Sequence, residues 1–428
     1  MPSSSSLLDH LQAKLDTIAA ADQRRFVRAA ESPTAPRQRV RGADGIAREL
    51  LMFCSNDYLG LAAHPRIASA IAEGARLWGG GSGASPLVSG HTVAHARVES
   101  LLADWFAPHI PQARALGFNT GYMANLAVLT ALGDEHTQIF SEQLNHASLI
   151  DGARLARAEV SRYAHLDLAD LRHQLQASRA KLKLIVTDAV FSMDGDIAPL
   201  PQLLALADEF DALLVVDDAH GFGVLGERGR GALEHFDLRS ERLVLVGTLG
   251  KAAALSGAFV VAHHIITDYL LQAGRNYIFS TASPPAVEHA LLSSLDLIGG
   301  ETGRQRRQQL QALRTQLRAG LQALIARHPQ LDWRLPDSET PIQPLIVGSN
   351  SAAMSLAAAL EREGLRVPGI RPPTVPAGQA RLRITLSATH SAAEVQHLLS
   401  ALERAARTLA TTEQLQKQQQ ANLQEHSP

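Results

Sequence analysis

The sequence feature that most restricts the fold is a set of four short runs dominated by Val, Ile, Leu and Ala. They span residues 182–190, 212–216, 243–246 and 258–261. Runs of this kind are typical of strands that are buried on both faces. Helix-like stretches separate them between about residues 114 and 265. This alternation predicts an α/β fold with a mostly parallel sheet and helices covering it.

Small, polar or ionisable residues directly follow three of these four runs. They are Phe-Ser-Met-Asp at 191–194, Asp-Asp-Ala-His at 217–220 and Thr-Leu-Gly-Lys at 248–251. Ligands of open α/β sheets bind outside the carboxyl ends of the strands. We therefore expect these three segments to converge on one site.

The chain of 428 residues is long enough for a large domain and a smaller one. The predicted regions are an N-terminal helix and arm (1–55), a large α/β domain (56–290), a smaller C-terminal α+β domain (291–410) and a Gln-rich tail (411–428). The first helix is expected to run from about residue 7 to 30, with Pro33 and Pro36 ending it. The tail has few large apolar side chains and is expected to fray or to be disordered.

Charge and composition argue against several classes of protein. A net charge of −2 gives no basic surface for nucleic acid, and no run approaches the roughly 20 apolar residues that span a bilayer. Cys54 is the single cysteine, so it forms no internal disulfide. The histidines lack metal-binding spacing. These features favour a cytoplasmic protein without a nucleic-acid, membrane or metal partner.

Lys251 is the lysine best placed for chemistry. Of the five lysines, it alone follows a buried strand and lies among small residues. Burial there would lower its pKa toward the free amine that forms an imine with an aldehyde. The alternative is a lysine that merely caps a strand end.

Four other residues make the functional interpretation more specific. A carboxylate at Asp217 can pair with the protonated nitrogen of a pyridine ring, and His220 can bond an oxygen on that ring. Thr248 and Ser192 offer hydroxyls to the ring or to a phosphate. Taken alone, the acidic pair at 217–218 is equally typical of a turn or a Mg²⁺ ligand.

Two further segments are weaker indications. Residues 117–125 read as a glycine turn that opens a helix, whose amides can hold a phosphate, although such turns also occur without a ligand. His146 can stack on a ring, but a lone histidine is more often on the surface or in the core. The glycine-rich run at 79–83 follows a helix rather than a strand, so we interpret it as a loop near the site and not as a dinucleotide-binding turn.

Residues 55–61, 145–149, 190–196, 216–221 and 248–251 together resemble the α-oxoamine synthases over about residues 10–405. These are fold-type-I transferases that depend on pyridoxal phosphate (PLP). The resemblance implies a large domain with a mostly parallel, seven-stranded type of sheet and PLP held by Lys251 as a Schiff base. Residues 342–348 and 370–378 are similar to the branch that serves biotin biosynthesis.

By the same resemblance, site residues carry over one by one. The implied catalytic residues are Lys251, His146, Asp217 and His220. Further PLP contacts are implied for Gly121, Tyr122, Ser192 and Thr248. The implied substrate contacts are Arg25, Asn56, His146, Thr374 and Arg383. Among these, Arg383 would bind an amino-acid carboxylate, and Arg25 and Thr374 the acyl substrate, with Arg24 as the alternative to Arg25.

The activity implied is a decarboxylative condensation of L-alanine with a pimeloyl thioester, carried by coenzyme A or by an acyl carrier protein, in a homodimer. Glycine C-acetyltransferase or another α-oxoamine synthase is the nearest alternative. A non-catalytic subunit of the same fold is disfavoured because Lys251 and Asp217 are both present. The chain departs from its relatives at 252–254, where alanines replace glycines, and at Pro86 and Leu87.

Overall fold

The computed structural model describes residues 6–21, 23–42 and 44–425, and side-chain surroundings as far as Thr411. The strands are β1 (Arg37–Arg41), β2 (Ala47–Met52), β3 (Ala113–Phe118), β4 (Thr137–Glu142), β5 (Glu159–Tyr163), β6 (Leu182–Asp188), β7 (Ala212–Asp217), β8 (Leu243–Thr248), β9 (Ala258–His263), β10 (Ile342–Gly348), β11 (Leu365–Arg366), β12 (Gly369–Ile370) and β13 (Ala380–Thr385). The helices are α1 (Leu7–Ala20), α2 (Pro65–Trp78), α3 (Val93–Phe106), α4 (Gly121–Leu132), α5 (Ala147–Leu155), α6 (Leu168–Ala177), α7 (Leu200–Glu209), α8 (Ala232–His235), α9 (His264–Ala273), α10 (Arg275–Ile278), α11 (Pro285–Gly299), α12 (Glu301–Arg327), α13 (Asn350–Arg362) and α14 (Ala392–Glu425).

A seven-stranded sheet in the order β3-β9-β8-β7-β6-β4-β5 forms the centre of the molecule. β9 runs antiparallel to both of its neighbours, and the other pairs in this sheet are parallel. All six residues of β4 are buried, as expected for a strand covered on both faces. The prediction of an α/β fold with a mostly parallel sheet is confirmed.

The four strands predicted from the apolar runs are β6, β7, β8 and β9, with boundaries within two residues of the prediction. β6, β7 and β8 are direct neighbours in the sheet. Because they are parallel, their carboxyl ends lie at the same edge. The three polar segments that follow them are therefore brought together.

The C-terminal part of the chain forms a second, smaller sheet in the order β10-β13-β12. Its pairs are antiparallel, with Pro344 opposite Arg383 and Ile370 opposite Arg381. α13 packs on this sheet and α12 packs on α14. The expectation of a C-terminal α+β unit agrees with this arrangement, and the boundaries proposed for the regions remain predictions.

The first helix ends earlier than the sequence suggested. α1 stops at Ala20, whereas the prediction extended it to about residue 30. The apolar helical spacing ends at Ile18, and Ala30 makes an antiparallel bridge with Val40. The segment after the helix therefore ends in a β-bridge to the following strand and does not continue the helix.

The N-terminal arm joins a strand of the C-terminal part. β2 pairs with β1 in a hairpin and in parallel with β11, with Leu51 opposite Leu365. At the other end, α14 continues to Glu425 where the sequence predicted a frayed or disordered tail from residue 411. Gln, Leu, Lys and Ala have high helix propensity, which extends the helix although its end has few large apolar residues. Residues 426–428 lie outside the described part.

Over the described ranges, none of the helices is both long and apolar enough to cross a membrane.

Candidate active site

Lys251 lies three residues after β8, with its Nζ 2.8 Å from Nε2 of His220. Burial lowers the pKa of Lys251 to about 8, although the nearby carboxylates of Asp217 and Asp188 oppose this shift. Burial, and then the charge of Lys251, holds the pKa of His220 well below its ordinary value. His220 is therefore neutral and can accept a hydrogen bond from the lysine.

A chain of hydrogen bonds extends from His220 to the neighbouring elements. Its Nδ1 lies 2.5 Å from the hydroxyl of Tyr58, and that hydroxyl donates to Oδ1 of Asn56 at 3.3 Å. With Nε2 accepting from Lys251, the proton on Nδ1 faces the Tyr58 oxygen. Burial raises the pKa of Tyr58 to about 12, so the hydroxyl keeps its proton. The lysine amine thus donates into a connected chain of uncharged side chains, formed by His220, Tyr58 and Asn56.

Asp217 and Asp188 end adjacent parallel strands and stand opposite each other in the β6–β7 register. Asp217 accepts from Nδ2 of Asn125 at 2.6 Å and from the backbone N–H of Ala219 at 2.9 Å. Burial, and then the charge of Asp217, raises the pKa of Asp188 well above its ordinary value. The neutral form of Asp188 is therefore favoured at this position.

His146 caps α5, next to this carboxyl pair. Its backbone N–H donates to Asp188 at 2.7 Å, and its Nδ1 lies 2.7 Å from the Ser148 hydroxyl. Burial lowers the pKa of His146, while the charge of Asp217 raises it and that of Lys251 lowers it. These interactions place His146 at the same site as Lys251 and Asp217.

The N-terminus of α4 approaches the same strand ends. Thr120 caps the helix by accepting from the Met123 N–H at 3.2 Å. A Cβ on Gly121 would lie 3.8 Å from the Cβ of Thr248, so the helix start faces the residue that ends β8. Tyr122 is 42% exposed and donates its hydroxyl to Asp151. The free amides of the first helical turn can hold an anion here.

Arg383 reaches the site from β13 of the smaller sheet and is buried. Its Nε donates to the backbone oxygen of Ser192 at 2.5 Å. Its two terminal nitrogens lie 3.4 Å from Oδ1 of Asn56, and one of them bonds Thr385 at 3.0 Å. The structure therefore brings Asn56, Ser192 and Arg383 together.

Arg25 and Thr374 line a separate cavity of about 870 Å³. Both are exposed, and Arg24, Arg371 and the apolar side chain of Leu15 share the lining. Lys251 is not part of this lining. The cavity and the Lys251 site are connected through the smaller sheet. In that sheet β12 pairs with β13 and leads into residues 371–379, which we call the Arg371 loop.

Three site residues were not assigned a role from the sequence: Asp188, Asn125 and Tyr58. A usable indication existed for Asp188, because it ends a predicted strand as Asp217 does. Asn125 lies one turn into the helix opened by the glycine turn, but its contact with Asp217 depends on how α4 packs on the sheet. Tyr58 lies at the start of the predicted large domain (56–290), and the sequence alone does not indicate its approach to His220.

The alanines after Lys251 have a structural consequence. Ala252 and Ala253 are buried, and Ala254 takes a φ of 63°, a left-handed conformation that favours glycine. A glycine at this position would avoid that strain. The loop at 79–83 is largely exposed, with Gly79 and Gly83 also at positive φ.

The donor set fits an aldehyde cofactor that has a pyridine ring and a phosphate. Lys251 supplies an amine with a lowered pKa, and Asp217 supplies a buried carboxylate held by two hydrogen bonds. Oδ1 of Asn125 is buried beside that carboxylate without a hydrogen-bond partner among the described residues. The first turn of α4 supplies backbone donors for a phosphate.

Comparison with known proteins points to the same chemistry. A family model for class I and II aminotransferases matches residues 48–402. An 8-amino-7-oxononanoate synthase from Leptothrix cholodnii is 62% identical over 408 residues, covering 94% of this chain and 100% of the relative. A protein of the same name from Polaromonas naphthalenivorans is 63% identical over 404 residues, covering 94% and 99% of the two chains.

Solved structures show the same fold. Serine palmitoyltransferase from S. paucimobilis, with a bound PLP–myriocin aldimine, is similar with a TM-score of 0.85 at 29% identity, over 95% of this chain and 100% of that one. A crystal structure of 8-amino-7-oxononanoate synthase from Francisella tularensis gives a TM-score of 0.71 at 31% identity, and the match covers 84% of this chain and 98% of that one.

Proposed function

The chain belongs to the class I and II aminotransferase family and, within it, to the 8-amino-7-oxononanoate synthases, and from this membership we propose that it condenses L-alanine with a pimeloyl thioester. A carbon–carbon bond forms between the α-carbon of alanine and the thioester carbonyl carbon. The thiol leaves, and the alanine carboxyl group leaves as CO₂. The product is 8-amino-7-oxononanoate.

PLP is the cofactor of this family, and when bound it supplies a cationic ring that takes up the negative charge left on an α-carbon after proton removal. We assign Lys251 to hold it and Asp217 to pair with its ring nitrogen. Gly121, Tyr122 and Thr248 surround the helix start that suits its phosphate. Asn125 supports this assignment because it holds Asp217 with a 2.6 Å hydrogen bond.

Lys251 is the base that takes the α-proton of the amino acid. Its pKa of about 8 leaves part of the amine unprotonated near neutral pH, as a base at this pH requires. His220 holds Nζ at 2.8 Å and has no positive charge of its own to repel the ammonium that forms. We assign His146, whose backbone N–H donates to Asp188, to cover the cofactor ring.

Arg383 binds the carboxylate of the amino acid. A buried guanidinium is the group best suited to a carboxylate, because it can donate two parallel hydrogen bonds. Asn56 and the backbone oxygen of Ser192 fix its plane. The charge of Arg383 also lowers the pKa of Lys251, so a carboxylate bound to this guanidinium would lie near the amine.

The acyl substrate is assigned to the cavity beside the Arg371 loop. Arg25 and Thr374 offer polar groups, while Leu15 and Ile18 offer apolar surface. A methylene chain that ends in a carboxylate matches this combination. Arg24 lines the same cavity, so both arginines are available to the acid end.

The observation that carries the proposal is the half-buried Lys251 amine, bonded to His220 and lowered in pKa, at the strand edge that also presents Asp217. Purified protein loaded with PLP should release thiol from L-alanine with pimeloyl-CoA or with pimeloyl-acyl carrier protein. Glycine with acetyl-CoA should give little thiol. Preferential turnover of glycine with acetyl-CoA would instead identify a glycine C-acetyltransferase.

A second copy of the chain is the partner that we propose. α1 buries none of its side chains, and Leu7, Leu8 and Leu11 are 74%, 74% and 46% exposed. An apolar helix face of this kind is normally covered by a partner. Light scattering should give twice the mass of 45.9 kDa. We place the enzyme in the cytoplasm, where the unpaired Cys54 stays reduced.

A further inference from the structure

His165 lies between two carboxylates that come from different parts of the large sheet. Its Nδ1 is 2.7 Å from Oε1 of Glu142, at the end of β4, and its Nε2 is 2.8 Å from Oδ2 of Asp196, after β6. Carboxylates only accept, so both ring nitrogens must donate, which requires the imidazolium form. The two hydrogen bonds outweigh burial and raise the pKa of His165 to about 10.

Asp196 closes a tight loop, which we define as residues 191–196. The backbone N–H of Phe191 donates to the oxygen of Asp196 at 3.0 Å, and that of Gly195 donates to the oxygen of Phe191 at 2.7 Å. The Phe191 ring also meets the His165 ring edge to face, with centroids 4.6 Å apart. His165 therefore contacts both ends of the loop.

The opposite side of the loop contacts the smaller sheet. Ser192 accepts from Nε of Arg383 through its backbone oxygen, and Met193 accepts from Arg381 at 3.2 Å. Asp194 forms an ion pair with the same Arg381. A shift of the loop would therefore move the hydrogen-bond partners of both arginines of β13.

We propose that His165 is a positioning residue, which fixes the 191–196 loop against Arg383 and thereby sets the affinity of the site for its amino-acid substrate. This inference rests on the proposed role of Arg383 as the carboxylate-binding group. His165 acts only through the loop.

Loss of the imidazolium would leave Glu142 and Asp196 facing each other without the cation between them. Glu142 is almost fully buried, at 1% exposure of its side chain, so its charge would have no solvent screening. Asp196 already has one buried oxygen without a hydrogen-bond partner among the described residues. Repulsion would then displace the loop, and the carbonyl of Ser192 would release the guanidinium of Arg383.

The test compares the PLP-loaded variant His165→Gln with wild type. We expect the dissociation constant of L-alanine, followed by the change in visible absorbance, and its KM to rise about tenfold. The KM of the pimeloyl thioester should stay within about twofold. His173→Gln, an exposed histidine on α6, is the matched control and should behave as wild type.

A purely structural role predicts a lower melting temperature with unchanged alanine affinity, and that result would overturn the proposal. If His165→Gln does not fold, Asp196→Asn replaces it, since the amide keeps an acceptor oxygen for His165 but removes the charge. Asp196→Asn should also weaken alanine binding, and unchanged binding would overturn the proposal. If the absorbance of wild type changes with glycine and not with alanine, the proposed function is contradicted but the role of His165 is not. The affinities of wild type and His165→Gln are then compared with glycine as the ligand.

Discussion

Asp188 and Asp217 stand opposite each other at the ends of adjacent parallel strands, and burial together with the charge of Asp217 raises the pKa of Asp188 well above its ordinary value. Two buried carboxyls on paired positions of adjacent strands cannot both carry a charge without a large cost in free energy. Asp217 accepts hydrogen bonds from Asn125 and Ala219, whereas Asp188 accepts one from the backbone N–H of His146. The two carboxyls therefore differ in their surroundings.

This asymmetry predicts different effects of the same substitution. Asp188→Asn replaces a neutral acid by a neutral amide that still accepts from the His146 N–H, so kcat/KM should fall less than about tenfold. Asp217→Asn removes the charge that pairs with the ring nitrogen and should cost about a hundredfold or more. Steady-state kinetics of the two PLP-loaded variants measure the difference. Equal losses would contradict the assignment of the proton to Asp188.

Lys251→Ala should abolish both turnover and the visible absorbance of bound cofactor, because no other amine is assigned to the site. Lys181→Ala, on the exposed segment before β6, is the control and should retain both. In wild type, the rate at which PLP attaches to the apo-protein should rise as pH increases through about 8, where the amine loses its proton. Stopped-flow absorbance follows this rate, and a pH-independent rate would argue against the lowered pKa.

Arg383→Lys keeps the positive charge but loses the planar fork that binds a carboxylate through two bonds. The KM for L-alanine should rise by about tenfold to a hundredfold, whereas the KM for the acyl thioester should change little. Arg334→Lys, on an exposed residue of the same region, provides the control. A rise confined to the thioester KM would assign Arg383 to the other substrate.

Gly247→Ala should destabilise the large sheet. A Cβ at this position would lie 2.2 Å from the ring of Phe259 on the paired strand β9. Overpacking in a closed core costs about 1–3 kcal/mol. Chemical denaturation followed by circular dichroism measures the loss. Gly81→Ala, which has no atom within 4 Å of the new Cβ, should leave the midpoint nearly unchanged.

The stabilisation from His165 should depend on pH. Its folded-state pKa of about 10 lies above the value of about 6.5 for an unfolded histidine, so the stabilisation is complete below about pH 6.5 and is lost as pH rises through about 10. Glu142 and Asp196 are the charged groups that face it. The melting temperature of wild type minus that of His165→Gln should shrink over this range. A constant difference would mean that His165 does not titrate there.

Much of the site was accessible from the chain alone, because strand patterns and polar strand ends are local features. The segments of Asp217, His220 and Lys251 were expected to converge, and they do so at the edge formed by β6, β7 and β8. The first helix was placed correctly at its start but continued too far, because bridging of Ala30 to Val40 is a contact that helical periodicity does not report.

Sequence alone determined the α/β class, four of the seven strands of the central sheet and the lysine at its edge, since apolar periodicity and the residues next to each strand indicate them. Only the tertiary structure decided which distant groups set the charge and position of that lysine and of Arg383. Asp188, Asn125, Tyr58 and His165 act across long separations in the chain. The pKa values of Asp188, Tyr58 and His165 depend on burial and on neighbours that packing alone supplies.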